Sequence, residues 1–265
     1  MKRIIVCVKP VPDPRHWHKV SMDPVSMTLK RAGIPSIINP LDKHALEAAL
    51  SVRDIRGGEV VLLSMAPPFA TSNLKEGLAM GADRAVLLSD PAFAGSDTLA
   101  TSLILAAGCR WIGDFDSVFL GNFSIDGSTA QVCSQLAEFL HLPNVMHVID
   151  MKWQENDKII IIQKIEQGYV KLEATLPVVL SVRKELNKPR YVPFTGILAA
   201  ESKEIKVVSN EDLGVDSSFI GLEGSPTKMA GLELRRFERA KERLAGSIEE
   251  IVAKLADKIY QCNIS

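Results

Sequence analysis

The sequence predicts an α/β fold: a parallel sheet with helices on both faces, an antiparallel extension at one edge and a C-terminal arm. Three observations predict it. In the first half, short all-apolar runs alternate with amphipathic stretches, the pattern of parallel strands covered on both faces. After Pro143, four strand-like runs follow one another with no helical period between them. From Lys203 the periodic apolar residues thin out until a last, strongly charged helix.

The chain has 265 residues, of which 46% are hydrophobic, enough for a sizeable core. Its formal net charge of −1 offers no basic field for nucleic acid. No apolar run approaches the roughly 18 residues of a membrane span. The opening "MKRIIVCVKPVPD" has a basic flank, but its apolar run is too short for a signal peptide and reads as a first strand. Cys7, Cys109, Cys133 and Cys262 show neither C-x-x-C spacing nor a histidine at zinc-site spacing. They read as thiols of a reducing, cytoplasmic compartment, without a disulfide framework or metal site.

The elements follow in order. "RIIVCVK" is a buried strand, and Pro10–Ile38 a proline-rich excursion that holds a small hairpin. Leu41–Arg56 is a helix with Ala45, Leu46, Ala49, Leu50 and Val52 on one side. "GEVVLLSM", "DRAVLLS" and "DSVFLG" are further strands. Helices at Ser72–Met80, Asp97–Ile112 and Gly127–Leu140 alternate with them, the first ending at Gly81. "NVMHVIDMKW", "DKIIIIQKI", "GYVKLEATL" and "PVVLSVR" read as a meander, with turns at Asn156–Asp157 and Gln167–Gly168. A final helix spans roughly Glu233–Tyr260.

Two helix starts could hold a ligand. In "SIDGSTAQV", Ser128 and Gln131 have capping-box spacing, which by itself explains them structurally. The same turn lies at the carboxyl end of a parallel strand, where outward N–H groups and the small Gly127, Ser128, Thr129 and Ala130 would suit a phosphate. It is neither G-x-G-x-x-G nor a Walker loop. In "INPLDKHAL", Asn39 has the character of an N-cap, Pro40 suits the first helical position, and Asp42 would oppose a phosphate there. "LLSMAPP" ends a strand without charge at Met65, as a base pocket or an ordinary loop would. His16 and His18 flank Trp17 but lack partners for a metal.

"IIVCVKPVPD", "INPLDKHALEAAL", "LAMGADRAVLLSD", "SIDGSTAQV", "LPVVLSVRKELNKPRY" and "EDLGVD" occur in order across about residues 2–226. Together they resemble the beta subunit of electron transfer flavoprotein. The resemblance implies an adenine-nucleotide-binding α/β fold paired with an alpha subunit that carries an electron-transferring FAD. It implies AMP on the beta subunit in ordinary members and a second FAD in electron-bifurcating ones. It carries nucleotide binding onto Cys7, onto Asn39, Pro40, Leu41 and Asp42, onto Met65, and onto Asp126, Gly127, Ser128, Thr129, Ala130, Gln131 and Val132. The "DGSTAQV" turn resembles the bifurcating branch and favours a second FAD, with AMP as the alternative. In that branch the flavin accepts a hydride from NADH, passing one electron to the alpha-subunit FAD and one to an acceptor such as ferredoxin.

"NKPRYVPFTGILAAESK" resembles the family's partner-recognition loop. Phe194 would be the anchor, with Tyr191 and Ile197 beside it, for a dehydrogenase of acyl-CoA dehydrogenase type; Phe194 as a core residue is the plain alternative. The implied division is a nucleotide-binding domain over 1–186, a recognition loop over 187–203 and, over 204–265, an arm whose helix packs on a partner subunit. The sequence departs from the family at Asn122 and Phe123, where Lys or Arg and then Gln are usual, and at Cys133 and Ser134, where Gly-Pro is usual. A free-standing enzyme of the adenine-nucleotide hydrolase type is the remaining class; the lack of a Walker lysine speaks against it.

Overall fold

A computed structural model describes residues 2–19, 21–22, 29–30, 33–228 and 241–261. The strands and helices run β1 (Arg3–Cys7), β2 (Pro10–Pro12), β3 (Ser21–Met22), β4 (Leu29–Lys30), β5 (Ser36–Ile38), α1 (Pro40–Arg56), β6 (Glu59–Met65) and α2 (Thr71–Met80). They continue with β7 (Arg84–Leu88), α3 (Thr98–Ile112), β8 (Ser117–Gly121), α4 (Val132–Leu140), β9 (Asn144–Trp153), β10 (Lys158–Ile165) and β11 (Gly168–Thr175). Last come β12 (Val178–Val182), α5 (Phe194–Ser202), β13 (Ile205–Val208), α6 (Asn210–Leu213) and α7 (Ile248–Gln261).

One sheet organises the fold, in the order β11-β10-β9-β12-β8-β1-β6-β7-β13. From β9 through β13 the pairings are parallel, and only β9-β10-β11 is antiparallel. Alternate strand residues feed two cores. Val6, Leu62, Phe119 and Leu180 pack with α1 and α2 on one face. Ile5, Leu63, Leu120 and Val179 pack with α3 and α4 on the other. The excursion after β1 contains the β2–β5 pair and the small β3–β4 hairpin.

The structure corrects several expectations. The run "PVVLSVR" does not close the meander: β12 inserts parallel between β9 and β8. Its residues are buried throughout, so it belongs in the sheet interior rather than at an edge. The segment after Lys203 is not purely an arm, because β13 pairs parallel with β7. Its four residues, Ile-Lys-Val-Val, are too few to show a period. Helix α4 begins at Val132 rather than Gly127. Ser128 and Ala130 hold φ of 53° and 55°, which a right-handed helix excludes. The turn between β10 and β11 falls at Glu166–Gln167, one residue early, whereas Asn156–Asp157 turns with φ of 58° and 55°.

The chain divides into a unit over Met1–Ala230 and a second over Gly231–Ser265. In the second unit the helix is described over Ile248–Gln261, and the described residues 241–247 before it are not helical; residues 233–240 of the expected helix lie outside the described residues. Among the described residues no helix is long and apolar enough to cross a membrane.

Candidate functional site

Strands β1, β6 and β8 end together at the carboxyl edge of the sheet, and the start of α1 joins them. Asn39 precedes α1, but its side chain does not cap the helix. It reaches sideways instead: Nδ2 donates to the Phe123 carbonyl at 2.9 Å and to Asp42 Oδ1 at 2.9 Å, while Oδ1 accepts from the Ile125 N–H at 3.3 Å. The buried Asp42 carboxylate accepts from the N–H of Lys9 at 2.8 Å and of Gly121 at 3.2 Å. Two polar side chains thus fasten the ends of β1 and β8 to one helix. The spacing that suggested a helix cap serves a tertiary clasp.

Gly121 is required there, because a Cβ would lie 2.4 Å from Asp42 Oδ1. Burial pushes the Asp42 carboxyl up to about 7 against the pull of its donors. Near neutral pH much of its charge is therefore absent, which lessens the opposition to a phosphate expected at this helix end. Lys9 adds a cation, with Nζ 2.7 Å from Asp126 Oδ1 and 3.3 Å from Ser124 Oγ.

The exposed part of the loop runs on to α4. Its capping box is not formed: Gln131 Oε1 accepts from Thr98 Oγ1 at 2.9 Å, and the Ser128 hydroxyl donates to the Ser124 carbonyl at 3.4 Å. Ser128 and Ala130 hold a positive φ on either side of Thr129. Among the described residues none accepts from the N–H of Thr129, Ala130 or Gln131. Asn122, at the exit of β8, is buried, and its Oδ1 has no hydrogen-bond partner among the described residues. Free N–H groups and a lysine beside an open loop fit the phosphate of a nucleotide.

Of the expected site residues, Asn39, Asp42 and Asp126 join this cluster through Phe123, Lys9 and Gly121. Pro40 and Leu41 open α1 beside them, and Gly127, Ser128, Thr129, Ala130, Gln131 and Val132 complete the loop into α4. Cys7 ends β1 in the core beneath, where a hydrogen bond with Cys109 and burial hold its thiol well above the usual range. Met65, half-buried at the end of β6, packs on the same core. Lys9, Thr98 and Asn122 were not expected. A lysine closing the apolar run "RIIVCVK" was the readable sign of the first; nothing in the local sequence points to Thr98.

A second surface lies on α5. Tyr191 is 88% exposed, Phe194 73% and Ile197 50%, so Phe194 is not a core residue. The segment before it is fixed to α1. Arg190 donates to both Glu47 oxygens at 2.8 and 3.0 Å and to Asp54 at 3.0 Å. Asn187 Nδ2 donates to the His44 carbonyl at 2.9 Å. At Gly196 a Cβ would lie 2.2 Å from the Ala79 carbonyl, so α5 sits directly on α2. Among the described residues no group of three His, Cys, Asp or Glu could hold a metal; the Trp17 and His18 side chains lie outside them.

Comparison with known proteins decides the family. The model of the electron transfer flavoprotein domain matches residues 26–213. The chain belongs to the electron transfer flavoprotein family. Over 97% of its length it is 46% identical to the electron transfer flavoprotein subunit beta of Thermoanaerobacterium thermosaccharolyticum, covering 97% of that protein. It is 44% identical to the subunit of the same name from Clostridium acetobutylicum, over 97% of this chain and 98% of that one. It is 43% identical to the caffeyl-CoA reductase-Etf complex subunit CarD of Acetobacterium woodii, over 99% of both. Within the electron transfer flavoproteins this chain therefore stands among the beta subunits, in a family associated with flavin and electron transfer.

Proposed function

We propose that this chain pairs with an electron transfer flavoprotein alpha subunit carrying one FAD, and holds a second FAD on its own loop. The heterodimer carries electrons between NADH or a dehydrogenase and other acceptors, with ferredoxin as the low-potential acceptor in flavin-based electron bifurcation. The cytoplasm, where buried free thiols stay reduced, is its compartment.

The observation that carries this reading is the open loop over residues 126–131, with its free N–H groups, at the carboxyl ends of β1, β6 and β8. When bound, a flavin supplies hydride acceptance and release of single electrons. The chain's residues do the holding. The N–H groups of Thr129, Ala130 and Gln131 receive the diphosphate. Asn39 and Asp42 keep the loop in place, and Lys9 offsets the charge of Asp126. Phe194 and Ile197 on α5, with Tyr191 just before it, dock a dehydrogenase of acyl-CoA dehydrogenase type, as exposed aromatic anchors do.

One observation favours a second reading, a structural AMP in place of the second FAD. The neutral Asn122 stands where the family resemblance leads one to expect a cation, which removes donors that a larger dianionic cofactor could use. Nucleotide release separates the two. The purified heterodimer is denatured and its FAD and AMP are quantified by mass spectrometry. Two FAD per heterodimer are expected. One FAD with one AMP would replace the bifurcating reading with ordinary electron transfer, and no nucleotide beyond the alpha-subunit FAD would sink the assigned loop.

A further inference from the structure

One carboxylate at the start of α3 holds two parts of the chain. Asp97 precedes the helix, and its Oδ1 accepts from the N–H groups of Leu99 and Ala100, each at 3.0 Å, as a helix cap does. Its Oδ2 accepts from Thr227 instead, from the N–H at 3.0 Å and from the hydroxyl at 2.7 Å. Burial alone would raise this carboxyl, but the donors of Thr227, Ala100 and Leu99 hold it below its ordinary value, so it is charged at neutral pH. The next residue, Thr98, donates from Oγ1 to Gln131 Oε1 at 2.9 Å, where the loop enters α4. A continuous line of contacts therefore joins residue 227 to that loop. The tail is anchored before it reaches Thr227. Ile220 is buried, and Gly221, with φ of 66°, approaches so closely that a Cβ would lie 2.4 Å from the Ala92 carbonyl. The buried Ser225 hydroxyl accepts from the Asp97 N–H at 2.8 Å and donates to the Gly221 carbonyl at 2.6 Å. Thr227 lies beyond these anchors and is exposed, and the second unit begins at Gly231. A surface contact of this kind adds little to global stability. Its effect falls on the point where the chain leaves the first unit and on the helix start it touches.

We propose that Asp97 and Thr227 form a latch that couples the exit of the C-terminal segment to the loop over residues 126–131. Nucleotide on the loop holds the latch closed, and the closed latch tightens nucleotide binding. The proposal rests on the nucleotide reading above. Nucleotide restrains Gln131, and the Thr98 hydroxyl passes that restraint to the first residue of α3. Asp97 is bonded directly to Thr98, so a fixed helix start keeps Oδ1 on the cap and Oδ2 on Thr227. The coupling is reciprocal: whatever the latch adds to nucleotide affinity, nucleotide adds to the latch. A partner that draws on the second unit is thereby felt at the nucleotide loop.

The test uses the heterodimer, stripped of nucleotide at the beta site and then titrated calorimetrically with AMP and with FAD. Hydrogen exchange is read at the Thr227 amide, which is itself part of the latch. In wild type, saturating nucleotide is expected to slow that exchange about fivefold, the worth of one hydrogen bond. Thr227→Val keeps the amide and the helix cap but removes the hydroxyl. It is expected to bind nucleotide about fivefold more weakly and to melt within a few degrees of wild type. Thr98→Val breaks the middle link, and saturating nucleotide should then leave exchange at Thr227 unchanged. Exchange at Thr227 that ignores nucleotide in wild type would overturn the proposal, as would an affinity in Thr227→Val within twofold of wild type. A larger loss of melting temperature in Thr227→Val would also overturn it, being the mark of a purely structural contact. Thr98→Val that still transmits the effect would do the same, since the route would lie elsewhere. Wild type that binds neither AMP nor FAD would overturn the nucleotide reading itself.

Discussion

Asp42 shows how one residue can serve both the fold and the site. It receives hydrogen bonds from Lys9, Asn39 and Gly121, yet burial pushes its carboxyl up to about 7. Unfolded, it would titrate near pH 4. Between those values the folded chain keeps a proton that the unfolded chain has lost. Its contribution to stability is therefore complete below about pH 4 and is lost as pH rises through about 7, at up to about 1.4 kcal/mol per pH unit. Urea unfolding of wild type and Asp42→Asn from pH 5 to 8 checks this. Wild type should lose more stability across that range, and parallel curves would refute the assignment. The sequence showed an acidic residue three places after Asn39 but not the clasp to β8. The partners at Gly121 and Phe123 lie about eighty positions away, and local spacing cannot report them.

At the scale of elements, the contrast between Arg190 and Phe194 is informative. Arg190 is tied to Glu47, whose carboxyl burial alone would raise but which Arg190 holds below its usual range. Arg190→Ala leaves that carboxylate without its main partner and is expected to cost roughly 1–3 kcal/mol in urea unfolding. Arg190→Lys should recover only part, since it cannot bridge both oxygens. Phe194→Ala, at an exposed position, should change stability by about 0.5 kcal/mol or less. If Phe194→Ala destabilised as much as Arg190→Ala, the separation of clamp and anchor would fail. The long strands and helices were legible because burial on one or both faces writes a period into them. Strand β13 was not, because its place depends on β7 offering an open edge. The start of α4 was misread because Ser128 and Gln131 have capping-box spacing while Ser128 and Ala130 adopt left-handed backbone.

Across the whole molecule, the described core residues end at Ile220 and Ser225. Helix α7 contributes none: Ile248, Val252, Leu255 and Ile259 form an exposed stripe at helical spacing. A chain ending at residue 230 should therefore keep its melting temperature within a few degrees, because it retains the described buried core. Differential scanning calorimetry reads the result, and a truncated chain that melts without a cooperative transition would show that the last unit is needed for folding. The sequence made the thinning of this tail visible, but not the point where the sheet ends.

The position of β13 also has a consequence in time. Val207 and Val208 pair with Leu87 and Leu88, residues made some 120 positions earlier. Synthesis runs from the N-terminus, so most of the chain has been made before this partner strand exists. Throughout that interval β7 ends the growing sheet with its N–H and C=O groups unpaired along an apolar strand. The nascent protein thus carries an adhesive border that the mature one covers. A ribosome stalled before Val208 would expose it for as long as the stall lasts.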